Sequence, residues 1–270
     1  MPCARPTRGD ILTRVTSPEL LQTLETYYDA APRPSATTEE VGPFTLFVKT
    51  DPNGWDFYAR PRLGLDVPFT AADVGKVRDR QRELGIPENL EWVHQTTSSL
   101  LAAARADGMT VERCPLLVLP AGAGPSVGPV ETRAVVLSPD SPDLAAVTAV
   151  IGAGFAGTDE FEPKDPGRRA AQIRSGLLVM VGAYDEQGNV IGGGTHSPRG
   201  TTTELTGIAV IPRARRRGVG AAITHILVED AKHRGVQAIF LGAQDDAVAR
   251  VYERVGFARV GIACIAEGPR

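Results

Sequence analysis

Arg213, Arg215, Arg216 and Arg217 crowd into five positions and are followed at once by Gly218 and Gly220. Arginine brings a permanent charge and a planar fork of donors that fits phosphate oxygens. Glycine lets a backbone turn its N–H groups toward a ligand with no Cβ in the way. The next residues, about Val219 to His233, read as a helix whose positive dipole end points at the same spot. Ahead of the loop, Leu205, Ile208, Val210 and Ile211 have the apolar, β-branched character of a buried strand. Pro212 cannot donate to a ladder and ends that strand. Strand, loop and helix together predict a cradle for a phosphorylated ligand. It is not a Walker loop, because no Gly-Lys-Ser/Thr follows the glycines.

A second glycine pattern, Gly152-Ala-Gly154-Phe-Ala-Gly157, has the spacing of the dinucleotide fingerprint. That fingerprint needs a strand before it and a helix starting on it. Here a helical pattern precedes it and the loop-like Thr158-Asp-Glu-Phe-Glu-Pro163 follows, so the segment reads as a flexible turn between helices. Cys3, Cys114 and Cys264 are far apart and form no CxxC, which points to neither a disulfide framework nor a zinc site. No metal is expected.

The net charge is −3, and residues 123–270 carry 16 basic and 16 acidic side chains. The arginines are therefore a local cluster in a neutral domain, which argues against a nucleic-acid surface. The chain has no apolar run of 18 residues and no signal-peptide core at its start, so neither a membrane partner nor export is expected. The expected compartment is the cytoplasm, and the expected state a monomer or homodimer.

A length of 270 residues fits two domains. The Gly/Pro-rich stretch 121–130 is the clearest linker, which divides the chain into 1–120 and 131–270. The first part opens with a helix at about Pro18 to Tyr28, with Ser17 as N-cap, and a connector at Ala31 to Thr38. Strands at Phe44 to Val48 and Trp55 to Ala59, a helix at Thr70 to Leu84, a strand at Leu90 to Val93, a helix at Ser98 to Ala106 and a strand at Cys114 to Leu119 follow. The second part reads as a strand (134–137), two helices (144–151 and 167–175) and a hairpin (177–184 and 190–197). After it come the strand–loop–helix of the cradle, a strand (237–241), a helix (246–255) and a last strand (257–265). The fold class is α/β with an α+β type mixed sheet: largely antiparallel strands, then a βαβ crossover.

Residues 131 to 265 resemble the GNAT superfamily of acyl-CoA-dependent N-acetyltransferases. Arg215-x-x-Gly218-x-Gly220 matches the family's Q/R-x-x-G-x-G/A loop, and Ile208-Ala-Val-Ile-Pro212 stands at its splayed central strand. Val251-Tyr252-Glu-Arg-Val-Gly256-Phe257 matches the later L-Y-x-x-x-G-F signature. The resemblance implies a GNAT-like acyl-CoA-binding fold with acetyl-CoA as cosubstrate. The loop Arg215, Arg216, Arg217, Gly218, Val219 and Gly220 would hold the pyrophosphate, largely through backbone N–H groups. The main chain at Ala209 and Val210 would pair with the pantetheine arm, one N–H polarising the thioester carbonyl. Tyr252 would protonate the departing thiolate. Glu204, fourteen residues before Gly218, stands where some members carry the base that deprotonates the amine; His196 is the reserve. Asp245 replaces an asparagine that the family often has near the pantetheine.

The implied activity is acetyl transfer to a primary amine of a small molecule or peptide, by direct attack in a ternary complex. The rival is a non-catalytic acyl-CoA-binding regulatory module, which would keep Arg215 and Gly218 but have no use for Glu204 or Tyr252. The acceptor cleft would be walled by the helix pair at about 144–176, with Phe155, Phe161, Arg168 and Arg169 as lining. Glu160, Glu162 and Asp165 would attract a cationic amine, whereas Arg168 and Arg169 count against one. Only about a dozen residues follow Gly256, so the last strand pairing looks truncated. The element order of 1–120 mirrors the second half without a phosphate loop, which makes it a degenerate GNAT-like repeat.

Overall fold

In the computed structural model, which describes residues 17–123, 132–163 and 165–269, Ser17 accepts a hydrogen bond from Leu20 N at 3.1 Å. With Pro18 at the first position, this cap starts α1 (Pro18–Ala30) where its sequence predicts. The strands and helices after it are β1 (Ala36–Val41), β2 (Phe44–Lys49), β3 (Ala59–Pro61), α2 (Ala71–Glu83), β4 (Asn89–Val93), α3 (Ser99–Ala106) and β5 (Thr110–Val118). Thr70 and Asp73 form a reciprocal capping box at the start of α2. The second half runs β6 (Arg133–Val136), α4 (Leu144–Ala156), α5 (Gly167–Arg174), β7 (Val179–Tyr184), β8 (Val190–Arg199) and β9 (Thr202–Val210). It continues with α6 (Val219–His233), β10 (Ala238–Gly242), α7 (Asp246–Arg254) and β11 (Ala258–Glu267). Most of the 121–130 linker and all of Cys3 lie outside the described residues.

Two readings of the first half are corrected. The connector at Ala31 to Thr38 is partly β1, paired antiparallel with β2 from Ala36↔Lys49 to Val41↔Phe44. Its residues are mostly polar and half-exposed, so no apolar alternation announces it. The strand expected at Trp55 to Ala59 shrinks to β3, and Trp55 is 75% exposed in the loop before it.

The fold comprises two compact units. The first takes the described residues up to Leu117, with 242–249 and those from 259 on; the second takes 118–241 and 250–258. In the first, the strand order is β1-β2-β3-β4-β11-β5, so the last strand of the chain is built into the sheet of the first half. β11 runs antiparallel to β4, with Cys264 opposite Trp92. Phe44, Leu46, Leu90, Trp92, Leu100 and Cys264 form its buried core with α2 and α3.

In the second unit the order is β10-β9-β8-β7-β6. The predicted mixture holds: β6 to β9 are antiparallel and β9–α6–β10 is a parallel crossover. Three glycines of β8 show which helix covers which face. A Cβ on Gly192 or Gly194 would meet Ile223 of α6, whereas one on Gly193 would meet Val147 and Ile151 of α4. Side chains alternate along a strand, so Ser197 lies on the α4 face and His196 on the α6 face. Glu204, the cross-strand partner of Ser197, shares the α4 face.

Candidate active site

The parallel ladder between β9 and β10 is short. It joins Thr202 to Ala238, Thr203 to Ile239 and Phe240 to Glu204, and stops there although β9 continues to Val210 and β10 to Gly242. Two features of β9 accompany this parting. Between Thr206↔Thr195 and Ala209↔Gly193, two residues of β9 face one of β8, and the first of them, Gly207, has φ +62°. That is a glycine bulge, which bends and twists a strand.

Beyond the bulge, Ile211 N donates to Ile191 O at 3.1 Å. Residues opposite each other in an antiparallel ladder alternate between bonded and non-bonded pairs. Ile211 and Ile191 are a bonded pair, so Val210, opposite Gly192, turns its N–H and C=O away from β8. Ala209 is buried and bonds inward; Val210 is the residue whose main chain looks out.

Pro212–Ala214 forms a single 3-10 turn, and Arg215 to Gly218 are exposed. Arg216 has φ +62° and Gly218 +79°. A left-handed arginine costs on the order of 1–3 kcal/mol, a strain that clusters at ligand sites. Gly218 is the N-cap of α6 and puts no side chain over it. The N–H groups at the start of a helix lack intrahelical acceptors, so the α6 terminus, with Arg216 and Arg217 beside it, fits an anion. Val219 is buried beneath the loop, and a Cβ on Gly220 would come within 4.0 Å of Val210 Cγ2, which sets the loop beside the end of β9.

Arg215 does something the sequence did not announce. Its Nε donates to Val210 O at 2.9 Å and its Nη2 to Gly154 O at 2.6 Å. Its guanidinium thus ties β9 to α4. The Gly152–Gly157 reading is corrected accordingly: Gly152 and Gly154 lie inside α4, and only Gly157, at φ +71°, ends it. Gly154 is there because a Cβ would stand 2.9 Å from Ala209 Cβ and 3.1 Å from Val210 N. Asp159, in the following loop, accepts from Arg213 N at 3.0 Å and fastens the same corner. Gly154 and Asp159 were not predicted as site residues, and the glycine spacing was the one available clue.

Tyr252 stands on α7, partly exposed, its ring edge-on to Phe257 at 5.9 Å. Burial pushes its phenol up to about 12, so it is a proton donor throughout the physiological range. Asp245 accepts from Val248 N at 2.8 Å and caps that helix, as expected of either Asp or Asn there. Glu204 is half-buried at the last paired position before β9 and β10 part.

His196 lies on the other face. It is fully buried between Thr203 Oγ1, at 3.0 Å from Nδ1, and Asp230 Oδ2, at 2.9 Å from Nε2. Burial lowers its pKa despite Asp230, and no ligand can reach it. It is a core histidine.

Among the described residues no group of His, Cys, Asp or Glu could hold a metal ion, and no helix is long and apolar enough to cross a membrane.

Residues 153–257 match the model of the acetyltransferase (GNAT) family. No curated protein matches the sequence. Among solved structures, a GCN5-related N-acetyltransferase from Kribbella flavida is similar at 20% identity and TM-score 0.72, over 93% of this chain and 96% of that one. A tandem GNAT protein from the clavulanic acid biosynthesis pathway aligns at 16% identity and TM-score 0.51, over 84% and 79%. A GCN5-related N-acetyltransferase-like protein from Streptococcus suis aligns at 11% identity and TM-score 0.55, over 92% and 98%. At such identities the likeness is one of fold, and it extends across both halves. Residues 153–257 therefore match the GNAT acetyltransferase family, and the fold of both halves is similar to that of solved GNAT structures.

Proposed function

We propose that this protein transfers an acetyl group from acetyl-CoA to a primary amine, by direct attack of the amine while both substrates are bound. The reading is carried by the parting of β9 from β10 beyond Glu204, with Val210 turning its main chain away from β8. Along the length of β9, a carboxylate, an outward N–H and an anion-binding helix start follow one another in the order the reaction needs.

The N–H groups at the start of α6, with Arg216 and Arg217, hold the pyrophosphate of acetyl-CoA. Val210 N–H donates to the thioester carbonyl and stabilises the charge that develops on its oxygen. Glu204 takes the proton of the incoming ammonium, which is not a nucleophile until it is lost. Tyr252 gives its phenolic proton to the departing thiolate, and the proton that the acylated nitrogen then loses restores the phenol by way of solvent.

The decisive experiment is free-thiol release from acetyl-CoA across amino acids, polyamines, aminoglycosides and peptides, with Tyr252→Phe beside the wild type. The expected result is turnover of at least one amine, reduced roughly tenfold or more in Tyr252→Phe with acetyl-CoA binding unchanged. Binding of CoA with no turnover of any amine would instead favour a non-catalytic acyl-CoA-binding module.

A further inference from the structure

Arg168 and Arg169 lie in the first turn of α5. Ala170 and Ile173 of this helix pack against a core cluster that includes Val147 and Ile151 of α4, so α5 lies on the α4 face of the sheet, the face that Glu204 shares. Arg169, four residues before Ile173, lies beside that packed side, and both arginines are half-buried. Among the described residues, no hydrogen bond or ion pair engages either guanidinium.

This is unlike the buried Arg78 and the half-buried Arg80 of the first unit. Arg78 is held by Glu88 and Asp107, and Arg80 by Glu39 and Glu83. Three carboxylates of the second unit have partners of their own. Asp165 accepts from Gly167 N at 2.9 Å, Asp159 from Arg213 N, and Asp140 from Arg174 at 2.7 Å. Burial lowers the Arg169 guanidinium's pKa, Arg168 pushes it the same way, and no carboxylate offsets either. Two adjacent cations removed from water without a counter-ion are costly, and a carboxylate or phosphate on their donor forks offsets that cost.

We propose that Arg168 and Arg169 bind an anionic group of the acceptor, so that the substrate is an amine that also carries a carboxylate or phosphate. The inference rests on the amine-acetylation reading and narrows its substrate class, against the cationic acceptor that Glu160, Glu162 and Asp165 suggested from sequence.

The test is thiol release from matched acceptors: amino acids against their amides, and aminoalkyl phosphates against the corresponding amino alcohols. Wild type is compared with the double variants Arg168→Gln/Arg169→Gln and Arg168→Lys/Arg169→Lys, with circular dichroism as a control for folding. The expected result is preference for an anionic member, with its KM raised roughly tenfold or more by the glutamines and only partly by the lysines. The KM for acetyl-CoA stays unchanged. Whichever pair shows the preference separates carboxylate from phosphate.

Equal use of charged and neutral partners, or turnover of cationic amines alone, overturns the inference and leaves acetyl transfer standing. A rise in the KM for acetyl-CoA instead assigns the arginines to a phosphate of CoA and also overturns it. Should no amine be turned over, transfer itself fails. The anion site is then read from the melting temperature with added glutarate or inorganic phosphate. A rise that the glutamine variant loses supports the site, and equal behaviour of the two proteins removes it.

Discussion

The Nη2 of Arg215 donates to the carbonyl of Gly154 at 2.6 Å, while its Nε donates to Val210 O at 2.9 Å. One guanidinium therefore fixes the distance between α4 and the end of β9 that the proposed oxyanion donor needs. The first arginine of the motif bonds the protein's own backbone, so in the proposed reading the pyrophosphate falls to the loop's N–H groups and to Arg216 and Arg217.

Replacing Arg215 separates these jobs. Arg215→Lys keeps the charge but cannot bridge two carbonyls with a planar fork. It should lower kcat as much as Arg215→Ala does, with a stability loss of about 1 kcal/mol, small because the side chain is exposed. Arg217→Gln should instead raise the KM for acetyl-CoA, increasingly so at low salt, and leave kcat in place. Steady-state kinetics at two ionic strengths distinguish them. Rescue of kcat by lysine would return Arg215 to the role of a simple charge.

Two glycines two residues apart in α4 should behave oppositely. A Cβ at position 154 would meet Ala209 Cβ at 2.9 Å and Ala209 C at 3.3 Å, mostly rigid backbone and a short side chain. Gly154→Ala should cost about 1–3 kcal/mol and lower kcat, because α4 must back away from the strand that carries Val210 N–H. At Gly152 an added Cβ meets nothing within 4 Å. Gly152→Ala should raise stability by roughly 0.5–1 kcal/mol with activity intact. Thermal unfolding of the two variants reads the contrast directly.

Those glycines also show where sequence reading reaches its limit. Strands with apolar, β-branched runs, such as Val179–Tyr184, and helices with good caps, such as that after Thr70, are local events and could be read in place. α6 was read to the residue, because Gly218 marks its start. The segment at 152–157 reads as a turn because a helical pattern precedes it and a loop-like stretch follows, whereas the structure keeps Gly154 inside α4 through a tertiary contact with Ala209. β1 was missed because an edge strand of Thr and Glu has no buried face to repeat. The pairing of β11 with β4, across most of the chain, leaves no local mark at all. At the site, residue types mark the exposed arginine loop ahead of a helix start, but not the two carbonyls that Arg215 bonds.

A pH effect should arise in the first unit. Glu91 is raised to about 7, chiefly by burial, against the opposing charge of Arg60, which is itself buried in an ion pair with Glu25. An acid whose folded pKa exceeds its unfolded one holds its proton more tightly when folded. Its cost is absent below about pH 4, grows from there to about 7 and is then complete. Glu91→Gln should therefore stabilise the protein by about 1–2 kcal/mol at pH 8, a figure discounted because the side chain is only half-buried, and by nothing at pH 4. Equal melting-temperature shifts at both pH values would show that packing, not ionisation, is responsible.

The last prediction separates Glu204 from Tyr252 by pH. A base that only removes the ammonium proton matters while the acceptor arrives protonated, and it loses its purpose as the pH approaches an amine pKa of about 10.4. The Tyr252 phenol, held up to about 12, still carries its proton there. Glu204→Gln should lower kcat/KM roughly tenfold or more near pH 7, and the gap from wild type should close steadily toward pH 10. Tyr252→Phe should show a deficit that stays constant over the same range, because the group it removes does not titrate within it. Glutamine keeps the size of the side chain at the last rung before β9 and β10 part, so acetyl-CoA affinity should not change. A Glu204→Gln deficit that is flat with pH would mean that the carboxylate positions a substrate or the strand, and that the proton leaves by another route.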